Sequence, residues 1–154
     1  HPSLLAALPT QAAGPRAILT PHPGEMARLA GKAVEAVQAH RLETALAYAQ
    51  QQQVVVLLKG RGTVVAGPAG HAWVLAAGNP GMATGGSGDV LTGTVAAMLA
   101  QGHSPQLAAA LAAHLHGRAG EAAVAHTGET GMTASDLFAT LGPTHRQLAA
   151  PAPK

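Results

Sequence analysis

Five consecutive apolar residues, Val54-Val55-Val56-Leu57-Leu58, constrain the fold of this chain more than any other stretch. A strand with one face in water alternates apolar and polar side chains, so an unbroken β-branched and aliphatic run calls for cover on both faces. The run is too short for a buried helix and stops at the turn Lys59-Gly60-Arg61-Gly62. A sheet clad on both sides needs helices in the chain around it, which makes the expected class α/β with layered helices.

The surroundings agree. Ala17-Ile18-Leu19 reads as a strand that runs into Thr20-Pro21-His22-Pro23-Gly24-Glu25, where the prolines end it and a helix can begin. A helix is expected from about Val34 to Gln51, with Val34, Val37, Leu42, Ala45, Leu46 and Ala49 on one face. Thr63 to Ala66 and Ala72 to Ala77 read as strands separated by Gly67-Pro68-Ala69-Gly70. From Asp89 onward the chain should be helical, with Val90, Leu91, Val95, Met98 and Leu99 on one side. Further helices are expected near Gln106 to Ala125 and Ala134 to Leu141, the latter with Thr133 and Asp136 at capping-box spacing. With 154 residues, no internal repeat and no linker, the chain suits one domain, 1–154, with a Pro-Ala tail from Ala149 to Lys154 expected to fray. It begins with His1, so we read it as an excerpt or a processed product, and its opening residues lack the pattern of a signal peptide.

Composition excludes several classes of function. Nine Lys and Arg against seven Asp and Glu are scattered, and one Phe, one Tyr and one Trp offer few rings for stacking bases, which argues against a nucleic-acid surface. With no Cys there is no disulfide scaffold, thiolate nucleophile or cysteine-based metal site. No apolar run reaches the roughly 18 residues that span a bilayer. A soluble cytoplasmic protein without a membrane partner is the expectation.

The chemistry concentrates at Gly85-Gly86-Ser87-Gly88-Asp89, between the last expected strand and a helix. A helix start offers unpaired N–H groups and a partial positive charge, and glycines let an anion come close to that backbone. Phosphate is the natural guest, and Ser87 could add a hydroxyl donor. It is not a Walker A loop, because Gly93 is followed by Thr94 and Val95 and not by Lys and Ser or Thr. The plainer alternative is a loop and helix start with Asp89 as N-cap. His114 and His116, two apart on a helix, should point to different faces and look ordinary, like the remaining histidines apart from His22. No protein-built metal site is evident.

The stretch Gly78-Asn79-Pro80-Gly81-Met82-Ala83-Thr84-Gly85-Gly86-Ser87-Gly88-Asp89-Val90-Leu91-Thr92-Gly93 closely resembles the signature of the ADP- or ATP-dependent NAD(P)H-hydrate dehydratases. Ile18 to Leu29 (containing Thr20-Pro21-His22-Pro23-Gly24-Glu25), Leu58 to Thr63 and Gly131 to Leu137 resemble three further family segments, in family order. The resemblance implies a ribokinase-like three-layer α/β/α sandwich of which this chain is the C-terminal half only. It implies a hydro-lyase that uses ADP or ATP, with Mg²⁺ carried in by the nucleotide, to dehydrate hydrated NADH or NADPH. Asp89 maps onto the catalytic acid position, where it would orient or deprotonate the ring hydroxyl. His22 and Glu25 map onto the substrate side. Lys59, Gly60, Arg61, Gly62 and Thr63 match the nucleotide segment, and Gly85, Gly86, Ser87 and Gly88 would hold the transferring phosphate. The family also suggests a homo-oligomer and leaves open a fused epimerase domain. A small-molecule kinase of the same superfold, or a non-catalytic nucleotide-binding half, are the competing readings.

Overall fold

In a computed structural model of the chain, which describes residues 14, 15 and 17–149, a four-stranded sheet lies between two helical layers. The strands are β1 (Ile18–Leu19), β2 (Val55–Leu58), β3 (Thr63–Ala66) and β4 (Ala72–Leu75), hydrogen-bonded in that order. β1 and β2 are parallel, with Ile18 opposite Val55, whereas β2, β3 and β4 are successively antiparallel. Helices α1 (Pro23–Ala30), α2 (Val34–Ala39) and α3 (Arg41–Gln52) fill the crossover from β1 to β2. Helices α4 (Ser87–Ala100), α5 (Pro105–Gly131) and α6 (Asp136–Ala149) follow the last strand, after a 3₁₀ turn at Pro80–Met82.

The apolar run is covered as its composition requires. Val54, Val56 and Leu58 pack with Met26, Val37 and Tyr48 in one core. Val55 and Leu57 face the other way, against Leu91, Val95 and Met98 of α4 and the alanine face of α5. All five residues of the run are fully buried, each burial contributing about 1.5–3 kcal/mol. A third cluster, including Val90, Ala119 and Leu137, joins α4, α5 and α6.

Several boundaries differ from expectation. The helix expected from Val34 to Gln51 breaks at His40 (φ −132°, ψ 54°), and Val34 and Leu42 are exposed, so only part of the proposed apolar face is core. Leu99 is likewise exposed on α4. β4 stops at Leu75 because Ala77 must turn beneath α5, where its backbone abuts Gly117. The helix expected from Asp89 begins two residues earlier, at Ser87, since Gly86 in the left-handed region (φ 88°) makes the turn and lets Ser87 and Gly88 join the helix. α5 runs beyond Ala125, though Gly128 is non-helical. α6 continues through Pro143 past Leu141, held by the buried Leu137 and Thr144, so packing outweighs the one amide that proline withholds. Of the capping box, the Asp136 half is present: its carboxylate accepts from the Thr133 hydroxyl and amide, both at 2.7 Å, and these bonds hold its pKa below the usual carboxylate range. Residues 150–154 of the tail, and the opening residues from His1, lie outside the described residues.

Candidate functional site

The site is built at the carboxyl ends of β1 and β2, where open α/β sheets leave a crevice for ligands. Leaving β1, the chain reaches His22, which caps α1 from an extended conformation. Its Nδ1 accepts from the Gly24 and Glu25 amides at 3.1 and 3.2 Å, while Glu25 Oε2 accepts the His22 amide at 2.7 Å. This is a capping box with an imidazole where a hydroxyl usually sits. Because Nδ1 accepts, the ring proton sits on Nε2, 3.6 Å from the other Glu25 oxygen.

β2 delivers Lys59 to the same place. Its amide donates to the Pro21 carbonyl at 2.9 Å, and its ammonium lies 3.8 Å from Glu25 Oε2. A Cβ added to Gly88 would stand 3.1 Å from that ammonium, so Lys59 rests directly against the first turn of α4. His22, Glu25, Lys59 and Gly88 are thereby gathered from three elements distant in sequence. Gly86, not Asp89, occupies the N-cap of α4, which removes the plainer reading of Asp89 as a helix cap. Asp89 is the third helical residue and is exposed, as are Gly85 and Gly86. Among the described residues the Gly88 N–H has no backbone acceptor, which leaves it available to an anion. Ser87 is buried.

The turn after β2 is held by a residue that sequence reasoning passed over. Arg41, first in α3, donates through one guanidinium nitrogen to the carbonyls of Leu58, Lys59 and Gly62, at 3.1, 3.1 and 3.3 Å. Gly60 (φ 127°) and Gly62 (φ 67°) give the turn the backbone angles this clamp requires, and Thr63 Oγ1 closes it on the Gly60 carbonyl. Arg61 is exposed on the outside of the turn. Nothing local to Arg41 announces a partner some twenty residues away. Arg41→Met is expected to lower stability by about 1–3 kcal/mol, the usual loss for charge-assisted bonds to half-buried carbonyls, as read from urea unfolding. Amide exchange at Gly60 to Thr63 should accelerate with it.

His116 is the second omission. It is 7% exposed, and its Nε2 lies 3.0 Å from the Ser87 carbonyl at the base of the glycine turn. His114 is exposed, as the two-residue offset requires. A signal existed in the sequence: Ala112, Ala119 and Ala123, at helical spacing from His116, all lie on the buried face of α5. Further along the same helix, Gly117 and Gly120 let Ala77 and Met82 lie close, and Glu121 Oε1 accepts the Gly78 amide at 2.9 Å. The loop feeding the glycine turn is therefore anchored on α5.

An open cleft of about 710 Å³ between α4 and α6 is lined by Gly86, Asp89, Gly93, Ser135 and Phe138 among others. Of the candidate catalytic and binding residues it shares Gly86 and Asp89, so those two sit between the cleft and the Lys59 side. Among the described residues no three His, Asp or Glu side chains gather where a metal ion would sit, and no helix is long and apolar enough to cross a membrane.

Comparison with known proteins adds to this geometry. A family model described as NAD(P)H-hydrate dehydratase matches residues 5–143. A bifunctional NAD(P)H-hydrate repair enzyme of Moorella thermoacetica is 54% identical over 121 residues, which cover 79% of this chain and 23% of the relative. The crystal structure of an ADP/ATP-dependent NAD(P)H-hydrate dehydratase from Bacillus subtilis, co-crystallised with ATP and Mg²⁺, superposes with a TM-score of 0.85 at 37% identity, covering 91% of this chain and 50% of that one. A ribokinase-like superfamily protein from Enterococcus faecalis superposes with a TM-score of 0.71 at 30% identity, covering 90% and 46%. The chain thus spans half or less of the length of each of these relatives.

Proposed function

Because the chain belongs to the NAD(P)H-hydrate dehydratase family and has its ribokinase-like fold, we propose that it carries the nucleotide-dependent dehydration of hydrated NADH or NADPH. In this reading it is the C-terminal portion of one such domain, the longer relatives accounting for the remainder, with fusion to an epimerase as in a bifunctional repair enzyme as an open arrangement. The observation that carries the reading is the meeting of the Lys59 ammonium, the unpaired Gly88 N–H and the exposed Asp89 carboxylate at one helix start.

Each residue then has a physical task. Lys59 and the amides of Gly85 to Gly88 offset charge on the transferring phosphoryl group, a role that needs fixed donors more than any covalent chemistry. Gly60 and Gly62 leave the backbone open for the nucleotide to lie along the turn, with Arg61 and Thr63 at its borders. His22 and Glu25 face the hydrated ring, and Asp89 accepts the proton of its hydroxyl as that oxygen takes the terminal phosphoryl group of ADP or ATP, whose bridging P–O bond breaks to release AMP or ADP. The C–O bond then breaks, phosphate departs, and loss of a neighbouring ring proton restores the double bond. Mg²⁺, when bound, would neutralise phosphate charge.

The test is to incubate the intact protein with hydrated NADH, Mg²⁺ and either ADP or ATP. Return of the reduced-nicotinamide absorbance with stoichiometric release of phosphate is expected. Stable transfer of labelled phosphate to an alcohol, with no return of absorbance, would make the protein a kinase instead.

A further inference from the structure

Three elements meet at a single peptide unit, the one joining Ser87 to Gly88. Lys59 at the end of β2 touches its Gly88 side, α4 begins on it, and His116 from the middle of α5 reaches its carbonyl at 3.0 Å. We infer that His116 is a positioning residue for the phosphate-binding turn, its Nε2–H fixing the Ser87–Gly88 peptide plane and so the direction in which the Gly88 N–H and Asp89 are presented. The inference rests on the function proposed above and deepens it.

The chemistry of the contact leaves few alternatives. A carbonyl oxygen only accepts, so Nε2 must carry the hydrogen. Burial of the imidazole pushes its pKa below the ordinary range. The bond to Ser87 opposes that shift, and the charge of Lys59, itself paired with Glu25, adds to it. The ring is thus the neutral tautomer with Nε2 protonated and Nδ1 bare. A neutral donor suits the place, since a second cation beside Lys59 would repel it.

A peptide unit is planar and trans, so its C=O and N–H point in opposite directions and cannot turn independently. Holding the Ser87 oxygen from the buried side therefore aims the Gly88 hydrogen toward the open side. Among the described residues that N–H has no backbone acceptor. A hydrogen bond on the carbonyl also polarises the amide, making its N–H a stronger donor. In a helix the Ser87 carbonyl would ordinarily serve the amide four residues on, and its second lone pair is what His116 takes up. An imidazole kept only to fill space among alanines would be equally well replaced by Leu.

The experiment therefore compares His116→Leu with His116→Gln, whose amide can donate to the same carbonyl. In the intact protein, calorimetric titration with ADP and Mg²⁺ should show binding weakened about tenfold by Leu, the loss of one hydrogen bond, and within about threefold of the parent for Gln. Nitrogen spectra of the parent's imidazole at neutral pH should show Nε2 protonated and Nδ1 bare, and the Gly88 amide resonance should move in the Leu variant but not in the Gln variant. A ring protonated on Nδ1, a Leu variant that binds ADP like the parent, or a Gln variant as weak as Leu would each overturn the inference. If the Leu protein does not fold, the parent's imidazole spectrum and the Gln variant decide it. Failure of the parent itself to bind ADP would count against the proposed function, while the tautomer and the Gly88 resonance would still judge His116.

Discussion

Asp89→Asn is expected to slow dehydration of the hydrated cofactor by about a thousandfold, the middle of the range for removing a group that transfers a proton. The substitution keeps shape and size and removes the charge and the acceptor for the hydroxyl proton. It should leave the fold intact, because Gly86 and not Asp89 caps α4, and because no hydrogen bond of the described residues uses the Asp89 carboxylate. ADP affinity should be retained or slightly improved, since a negative charge leaves the neighbourhood of the phosphate. The loss should appear in kcat at saturating nucleotide. An Asn variant that keeps more than about a tenth of the parent rate would remove Asp89 from the proton-transfer role.

What the sequence made legible was what depends on neighbours in the chain. The run from Val54 to Leu58 announced a strand covered on both faces, and each alternate residue does enter a different core. The glycines before Asp89 announced a helix start open to an anion, although the helix begins at Ser87 and not at Asp89. That two-residue difference matters, because it moves Asp89 from the cap to the first turn and hands the cap to a glycine in the left-handed region. The His22–Glu25 pair was visible as two candidates in one segment, whereas their reciprocal capping bonds needed the chain's actual path.

The rest was carried by long-range contacts, which leave no periodic mark. Arg41 reads as a charged residue at the start of an amphipathic helix, and only the fold brings it under the turn following β2. The break at His40 belongs with this: a continuous helix from Val34 would have fixed the azimuth of Arg41 by that of Val34, while the kink frees it to aim at the turn. In the sequence His116 looks like any other histidine of the chain, because its meaning lies in a carbonyl 29 residues away. Turn chemistry and strand burial are therefore readable from composition, but the groups that orient the turn are not.

Leu57→Ala should produce the largest loss of stability of any substitution considered, about 3 kcal/mol, and leave the chemistry of each folded molecule unchanged. Leu57 is 0% exposed at the centre of β2, with Val65 on the adjacent strand and the α4 and α5 side chains over it. Removing its isobutyl group forfeits the transfer term and leaves a cavity that a backbone pinned on both edges by β1 and β3 cannot close. For a chain of this size that loss corresponds to a fall in Tm of roughly 6–12 °C. Lys59, two residues on, keeps its anchor, because that anchor is a backbone bond from its amide to the Pro21 carbonyl. Turnover per folded molecule, measured well below the new transition, should then stay within about twofold of the parent, in contrast to Asp89→Asn, where Tm holds and turnover collapses. A Leu57→Ala protein with unchanged Tm would mean that the sheet does not need cover on the α4 side, and the layered fold that places the glycine turn beside Lys59 would lose its support.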